Sequence, residues 1–148
     1  MELRTRPKSN YLQSAEWEEL HVLTSHWQSD MAFFEDELRF IDVLIDKYFN
    51  SLIDPENMDR TKAIAANLSQ VKSDREKLTS RIAEHLRHIK ELMTNTSTQD
   101  AATFRQEHGR LEDDLTEFVK SFRTAKKEIF QLTESIARTE KSKHLISK

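Results

Sequence analysis

Two histidines fall on helical seams that are mainly apolar, and their chemistry is the first feature that needs an explanation. His85 takes a core position in the second of three helical segments, and His108 takes one in the third. Counting residues away from the two predicted turns pairs Thr24 with His85 and His85 with His108, which predicts one shared core layer. Each polar atom of such a layer needs a hydrogen-bond partner or a metal ion.

Three roles for this layer follow from the residue types. The favoured role is structural, because a single polar layer fixes the register of a long helical core. The second is a metal or cofactor site, whose candidate ligands are His85, His108, His26 and Glu112. The Glu-x-x-His spacing that carboxylate-bridged metal sites use twice occurs only once here, at Glu18 and His21, which argues against such a site. Acid–base catalysis is the third role. No cofactor is predicted.

Arg75 is a further polar residue on the second seam, at the level of Phe34 and Phe118. Three carboxylates flank it at the edges of the neighbouring seams: Asp30, Glu37 and Asp114. We expect the stem of Arg75 to pack on the aromatic rings while its guanidinium pairs with one of these carboxylates. The predicted structural polar core therefore consists of Thr24, Arg75, His85 and His108.

Gly109 is the only glycine of the chain and directly follows His108, at a position that the seam predicts to face solvent. Glycine inside a helix costs about 1 kcal/mol relative to alanine. Gly109 therefore marks either a local bend beside the polar layer or a neutral substitution.

A second candidate surface is an apolar ribbon beside the main seam of the first segment. Its members are Leu23, Phe33, Phe40 and Leu44, interrupted by Asp30 and Glu37. Phe33 and Phe40 lie one step beyond the positions that a three-helix core buries, and exposed apolar patches usually mark contact sites. A second copy of the chain or a partner helix is the favoured occupant. The alternatives are the segment Tyr11–Leu12 and a wide core that engulfs the ribbon.

Three long segments, in which apolar residues recur at steps of three and four, predict the elements that position these residues. They span about 14–53, 55–94 and 98–140, and each predicts one helix. Asp54 and Pro55 mark the first boundary as an N-cap followed by proline, and Ser97 with Asp100 marks the start of the third helix. The short connections predict an all-α, up-down-up antiparallel three-helix bundle with coiled-coil-like spacing. A domain-swapped dimer is compatible with the same connections.

Composition narrows the classes of function. Outside a single 14–140 domain, we expect a mobile N-terminal tail over 1–13 and a basic C-terminal tail over 141–148. The net charge of −3, with interspersed signs, offers no basic face for nucleic acid. The absence of cysteine excludes disulfides and thiolate chemistry, and no apolar run is long enough to insert into a membrane. The sequence predicts a cytoplasmic, non-enzymatic protein that acts through protein contacts or as a scaffold and forms a homodimer through its first helix.

Overall fold

Helices account for the regular structure of the residues that the structure describes. A computed structural model of the chain describes residues 16–95 and 100–147, which form four α-helices with no strand among them. In chain order, α1 spans Trp17–Lys47, α2 spans Phe49–Leu52, α3 spans Met58–Met93 and α4 spans Ala101–Ser147. The predicted all-α class is confirmed for these residues. Within them, no helix combines the length and the apolar character needed to cross a membrane.

The first connection differs from the prediction of one helix to residue 53 and a second from Pro55. α1 ends at Lys47, the single turn α2 follows, and α3 begins only at Met58. Side chains explain this arrangement, because Asn57 Nδ2 donates to the Ser51 carbonyl at 2.8 Å and Thr61 Oγ1 donates to the Leu52 carbonyl at 2.7 Å. These bonds satisfy the carbonyls at the end of α2. Asn57, rather than Asp54, accepts the first backbone bond of α3, from Thr61 N.

The second connection lies closer to its prediction. α3 ends at Met93, and Asn95 follows with a φ of 56°, a left-handed conformation that asparagine tolerates well at helix ends. The Asp100 carbonyl accepts from Phe104 N at 3.0 Å, so α4 begins at Ala101 rather than at 98. Ser97 lies outside the described residues, and so does the predicted tail over 1–13.

The end of α4 was also predicted too early. The helix continues to Ser147 instead of ending near 140, so the predicted basic tail is helical up to that residue. Residues 141–147 contain neither proline nor glycine, and the chain therefore has no local reason to leave the helix there.

The described residues pack as two compact units. The first comprises the residues up to Glu35 together with Ser73–Val119, and the second comprises Asp36–Lys72 together with the residues from Lys120 onward. Both units draw on α1, α3 and α4.

In the first unit, buried apolar side chains from the three long helices meet. Leu20, Ile89 and Phe104 are each 0% exposed and form one cluster, against which Trp17 packs. Trp17 meets Phe104 edge to face with 5.5 Å between ring centroids, and Phe34 of α1 meets Phe118 of α4 in the same way at 5.2 Å. These contacts bury large aromatic side chains and have the edge-to-face geometry that aromatic pairs prefer.

In the second unit, charged side chains border the core. Lys126 of α4 lies 2.7 Å from Glu37 of α1, and its ammonium group sits over the ring of Phe130 at 5.5 Å. Lys72 of α3 pairs with Asp42 of α1 at 2.7 Å. The exposed Phe40 places its ring edge against Phe130, with 6.3 Å between centroids.

The buried stripe of α4 is wider than its sequence seam. Pairs of consecutive residues are buried along this helix: His108 with Gly109, Leu111 with Glu112, Phe118 with Val119, and Leu132 with Thr133. Gly109 is therefore buried, and the prediction that it faces solvent was wrong. The reason is that a helix with neighbours on two sides buries a broader face than a two-position heptad seam describes.

Candidate functional site

The polar layer predicted from spacing has its centre in a direct contact between two imidazoles of the first unit. α3 carries His85, α4 carries His108, and His85 Nε2 lies 2.9 Å from His108 Nδ1. The side chains are 3% and 0% exposed, respectively. A hydrogen bond of this kind requires one ring nitrogen to donate and the other to accept. The pair is therefore compatible with two neutral rings, and a second added proton would remove the acceptor.

Aromatic rings enclose this pair on both sides. His85 stacks on Phe104 with 4.2 Å between centroids and only 5° between planes. His108 stacks on Trp27 of α1, with 4.8 Å between centroids and 27° between planes. Trp27 is completely buried. The site thus draws one or more rings from each long helix, and these rings cover both imidazoles with apolar surface.

Burial decides the protonation state of His85. Loss of hydration disfavours the charged imidazolium, and together with the smaller effect of the positive charges of His88 and Arg81 it lowers the pKa of His85 from 6.5 to about 4. His85 is consequently a neutral ring at neutral pH. A neutral ring suits a hydrogen bond between imidazoles, which supports a structural use of the pair.

Thr24 was predicted to complete the network, but its hydroxyl proton goes elsewhere. Its side chain is buried, and Oγ1 donates to the Leu20 carbonyl of the preceding turn at 2.7 Å. A threonine hydroxyl has one proton to give, so Thr24 does not donate to either imidazole. Back-bonding within its own helix satisfies a buried threonine without a cross-helix partner.

The metal alternative required His85, His108, His26 and Glu112 to converge. Glu112 is buried at 2% exposure and His26 is half-buried. Among the described residues, however, no three histidine, cysteine, aspartate or glutamate side chains form a group able to hold a metal ion. The two imidazoles use one nitrogen each for their mutual bond. The structure therefore offers no ligand geometry in support of metal binding at this pair.

A pocket of about 450 Å³ opens beside His85, between α3 and α4 of the first unit. Arg81 and Arg110 lie on its wall, but both are engaged with carboxylates: Arg81 bonds to Asp114 at 2.7 Å and to Glu107 at 3.3 Å, and Arg110 lies 3.6 Å from Glu107. Burial opposes the charge of Arg81, but the hydrogen bonds to Asp114 and Glu107 outweigh it and raise its pKa. Because carboxylates neutralise these two arginines, the pocket attracts an anionic ligand only weakly.

Arg75 has a different carboxylate partner from the three that the sequence suggested. Its Nη1 atom lies 3.9 Å from Glu35 Oε2, and it donates to Thr79 Oγ1 at 3.2 Å and to the Met31 carbonyl at 3.5 Å. Two of the predicted partners are paired otherwise, Glu37 with Lys126 and Asp114 with Arg81. The prediction failed because seam level does not fix where a long, flexible side chain ends.

The outer face of α1 is the second candidate site. Phe33 is 36% exposed and Phe40 is 57% exposed, whereas Leu23 and Leu44 are half-buried. The sequence argument missed two further members, Val22 at 53% and Val43 at 64% exposure. Their spacing was available as a signal, because Val22 and Phe40 are eighteen residues apart, which is five full helical turns. We define the outer face of α1 as Val22, Phe33, Phe40 and Val43.

Comparison with known proteins adds no assignment: no family model, no curated protein and no solved structure matches this chain. The case for function therefore depends on the two sites described above.

Proposed function

We propose that the chain is a non-enzymatic, cytoplasmic protein that acts through protein contacts and associates with a second copy of itself through the outer face of α1. The observation that carries this proposal is the exposure of four apolar side chains on one side of one helix. Exposed apolar side chains are unfavourable in water, and several of them on one side of a helix are candidates for a contact site.

Phe40 is the central residue of the proposal. More than half of its side chain is exposed, and the ring of Phe130 touches it from one side, with 6.3 Å between the ring centroids. Buried aromatic residues dominate the energy of protein interfaces, because a single ring removes a large apolar area from water. Val43, one turn further along α1, extends the same surface.

We further propose that α1, α3 and α4 form the up-down-up three-helix bundle expected from the sequence. The order of contacts within the first unit supports this arrangement. Along α3, Arg81 and His85 meet Asp114 and His108 of α4 in reverse order. Residues of α1 and α4 meet in the same order, Trp17 with Phe104 and Phe34 with Phe118.

In this bundle the His85–His108 contact serves as a register device. A one-turn slip of α3 against α4 would separate the two imidazoles and bury each without its hydrogen bond, at a cost of about 1–3 kcal/mol per polar group. Apolar layers tolerate such slips better, because one aliphatic side chain replaces another. The pair therefore contributes to the accuracy of the fold rather than to a reaction.

Size-exclusion chromatography with light scattering tests the proposal on wild-type protein and on Phe33→Asp and Phe40→Asp variants. We expect a dimer for wild type and a shift toward monomer for both variants, because a buried carboxylate opposes association. Phe49→Asp is the matched control, since Phe49 is similarly exposed at 52% but lies on α2. A monomeric wild type, or variants that dimerise as wild type does, would refute the proposal.

A further inference from the structure

We infer that the second copy binds antiparallel to the first, with a two-fold axis crossing α1 between Ala32 and Phe33. This inference rests on the proposed function and specifies its geometry. In this arrangement Val22 of one copy faces Val43 of the other, and Glu18 faces Lys47. Because both copies present the same face of α1, the contact is closed and limited to two chains.

The outer side of α1 carries a second seam with the same steps of three and four as the core seam. Its positions are Glu18, Val22, Ser25, Ser29, Ala32, Asp36, Phe40, Val43 and Lys47. All of them are exposed except Ser25, which is half-buried. Positions with this spacing lie along one line of the helix, where a second helix can pack, and three of them carry large exposed apolar side chains: Val22, Phe40 and Val43. α1 is one uninterrupted helix, so the placement of these residues on its face follows from helix geometry alone.

The seam is asymmetric in size, and this asymmetry favours the antiparallel direction. Small residues, Ser25, Ser29 and Ala32, occupy its first half, while Phe40 and Val43 occupy its second half. Antiparallel pairing sets Phe40 of each copy against Ser25 of the other, so that each large ring enters the space above a small residue. Parallel pairing would set Phe40 against Phe40 and leave the small residues facing each other, with a gap between the helices.

The charges at the two ends of α1 also favour the antiparallel direction. The first turn of α1 is acidic, with Glu18 and Glu19, and its last turn is basic, with Lys47. Antiparallel copies place Glu18 beside Lys47 at both ends of the contact, whereas parallel copies place like charges together. Each exposed pair of opposite charges is worth little, but like charges at the same place are unfavourable. The sizes and the charges of these residues therefore both favour the antiparallel direction.

Cysteine cross-linking tests this register directly, because the natural chain contains no cysteine. Val22→Cys and Val43→Cys variants are made separately, mixed in equal amounts and oxidised, and the disulfide-linked peptides are identified by mass spectrometry. We expect the mixture to give the Val22→Cys to Val43→Cys disulfide, while each variant alone stays largely uncross-linked. In the antiparallel dimer, two copies of position 22 are about 30 Å apart along the helix axis at 1.5 Å per residue, far beyond disulfide reach.

A charge exchange provides an independent readout. Glu18→Lys and Lys47→Glu should each weaken dimerisation by roughly threefold, in line with the small worth of exposed ion pairs. The double variant Glu18→Lys/Lys47→Glu should recover wild-type affinity in an antiparallel dimer, because both end contacts are again of opposite charge. Sedimentation equilibrium measures the three dissociation constants.

The outcomes separate this inference from the proposed function. If each cysteine variant cross-links with itself, the dimer is parallel and the inference is overturned while self-association stands. A dimer in light scattering without any cross-link places the contact elsewhere and also overturns the inference. A monomeric wild-type protein overturns the proposed function and the inference with it.

Discussion

Replacing His85 by glutamine should make the stability of the fold much less sensitive to acid. In the wild type, His85 is buried against Phe104 and His108, and its pKa is lowered to about 4 from an ordinary 6.5. The unfolded chain therefore binds a proton at a higher pH than the folded chain does. Stability contributed by the neutral ring is complete above about pH 6.5 and is lost as the pH falls toward 4.

The size of the effect follows from this difference in pKa. Each unit corresponds to about 1.4 kcal/mol, so the shift from 6.5 to about 4 is worth roughly 3 kcal/mol in full. Between pH 7.5 and pH 5 the linkage relation gives a loss of about 2 kcal/mol. That is a substantial part of the 5–15 kcal/mol that stabilises an ordinary domain, and it corresponds to a fall in melting temperature of roughly 4–8 °C.

Urea denaturation at pH 7.5 and at pH 5 measures the loss of unfolding free energy for both proteins. We expect the wild type to lose about 2 kcal/mol more than His85→Gln, since glutamine does not titrate and can still donate to His108. His21→Gln, which removes a half-buried histidine of α1, is the control and should lose as much as wild type.

Equal losses in wild type and His85→Gln would refute the reasoning. If the variant does not fold, the titration of the His85 ring by NMR decides instead. A ring that becomes protonated near pH 6.5 in the folded protein would show that burial does not control its charge.

Two further predictions concern the packing and the first connection. Phe104→Ala should lower the unfolding free energy by about 3–5 kcal/mol, because it removes a fully buried ring that is also the stacking partner of His85. Phe49→Ala, at an exposed position, should lower it much less. Urea denaturation compares the two variants. Asn57→Ala should lower the unfolding free energy by about 1 kcal/mol, because it removes the hydrogen bond to the Ser51 carbonyl. Asn50→Ala, an exposed control, should change the unfolding free energy little. Equal melting temperatures for the two variants would contradict the role of Asn57.

The sequence predicted the helical class and the central contact of the polar site. Periodicity survives in a single sequence because each turn of a helix repeats the same requirement for an apolar side chain. Short connections then limit how far one seam can slide against the next. Counting residues along the seams therefore predicts that His85 and His108 meet, in agreement with their contact at 2.9 Å.

The details of the connections were predicted less well. The end of α2 at Leu52 and the late start of α3 at Met58 involve Asn57 and Thr61, which reach back to carbonyls six and nine residues earlier. The capping preferences of single residues instead predict that the next helix starts at Asp54 and Pro55, because these preferences depend only on the residues next to a boundary. Where several polar residues compete for the same backbone groups, tertiary packing selects among them.

Sequence by itself determined that this chain is helical and which residues form the seams, because both follow from the repeat of a helix. Only the tertiary structure decided which partners the long polar side chains reach, as the contact of Arg75 with Glu35 shows. It also decided that the Thr24 hydroxyl donates to a carbonyl of its own helix and that Gly109 is buried. Burial depends on how many neighbours a helix has and on which sides they lie, and a one-dimensional pattern does not contain that information.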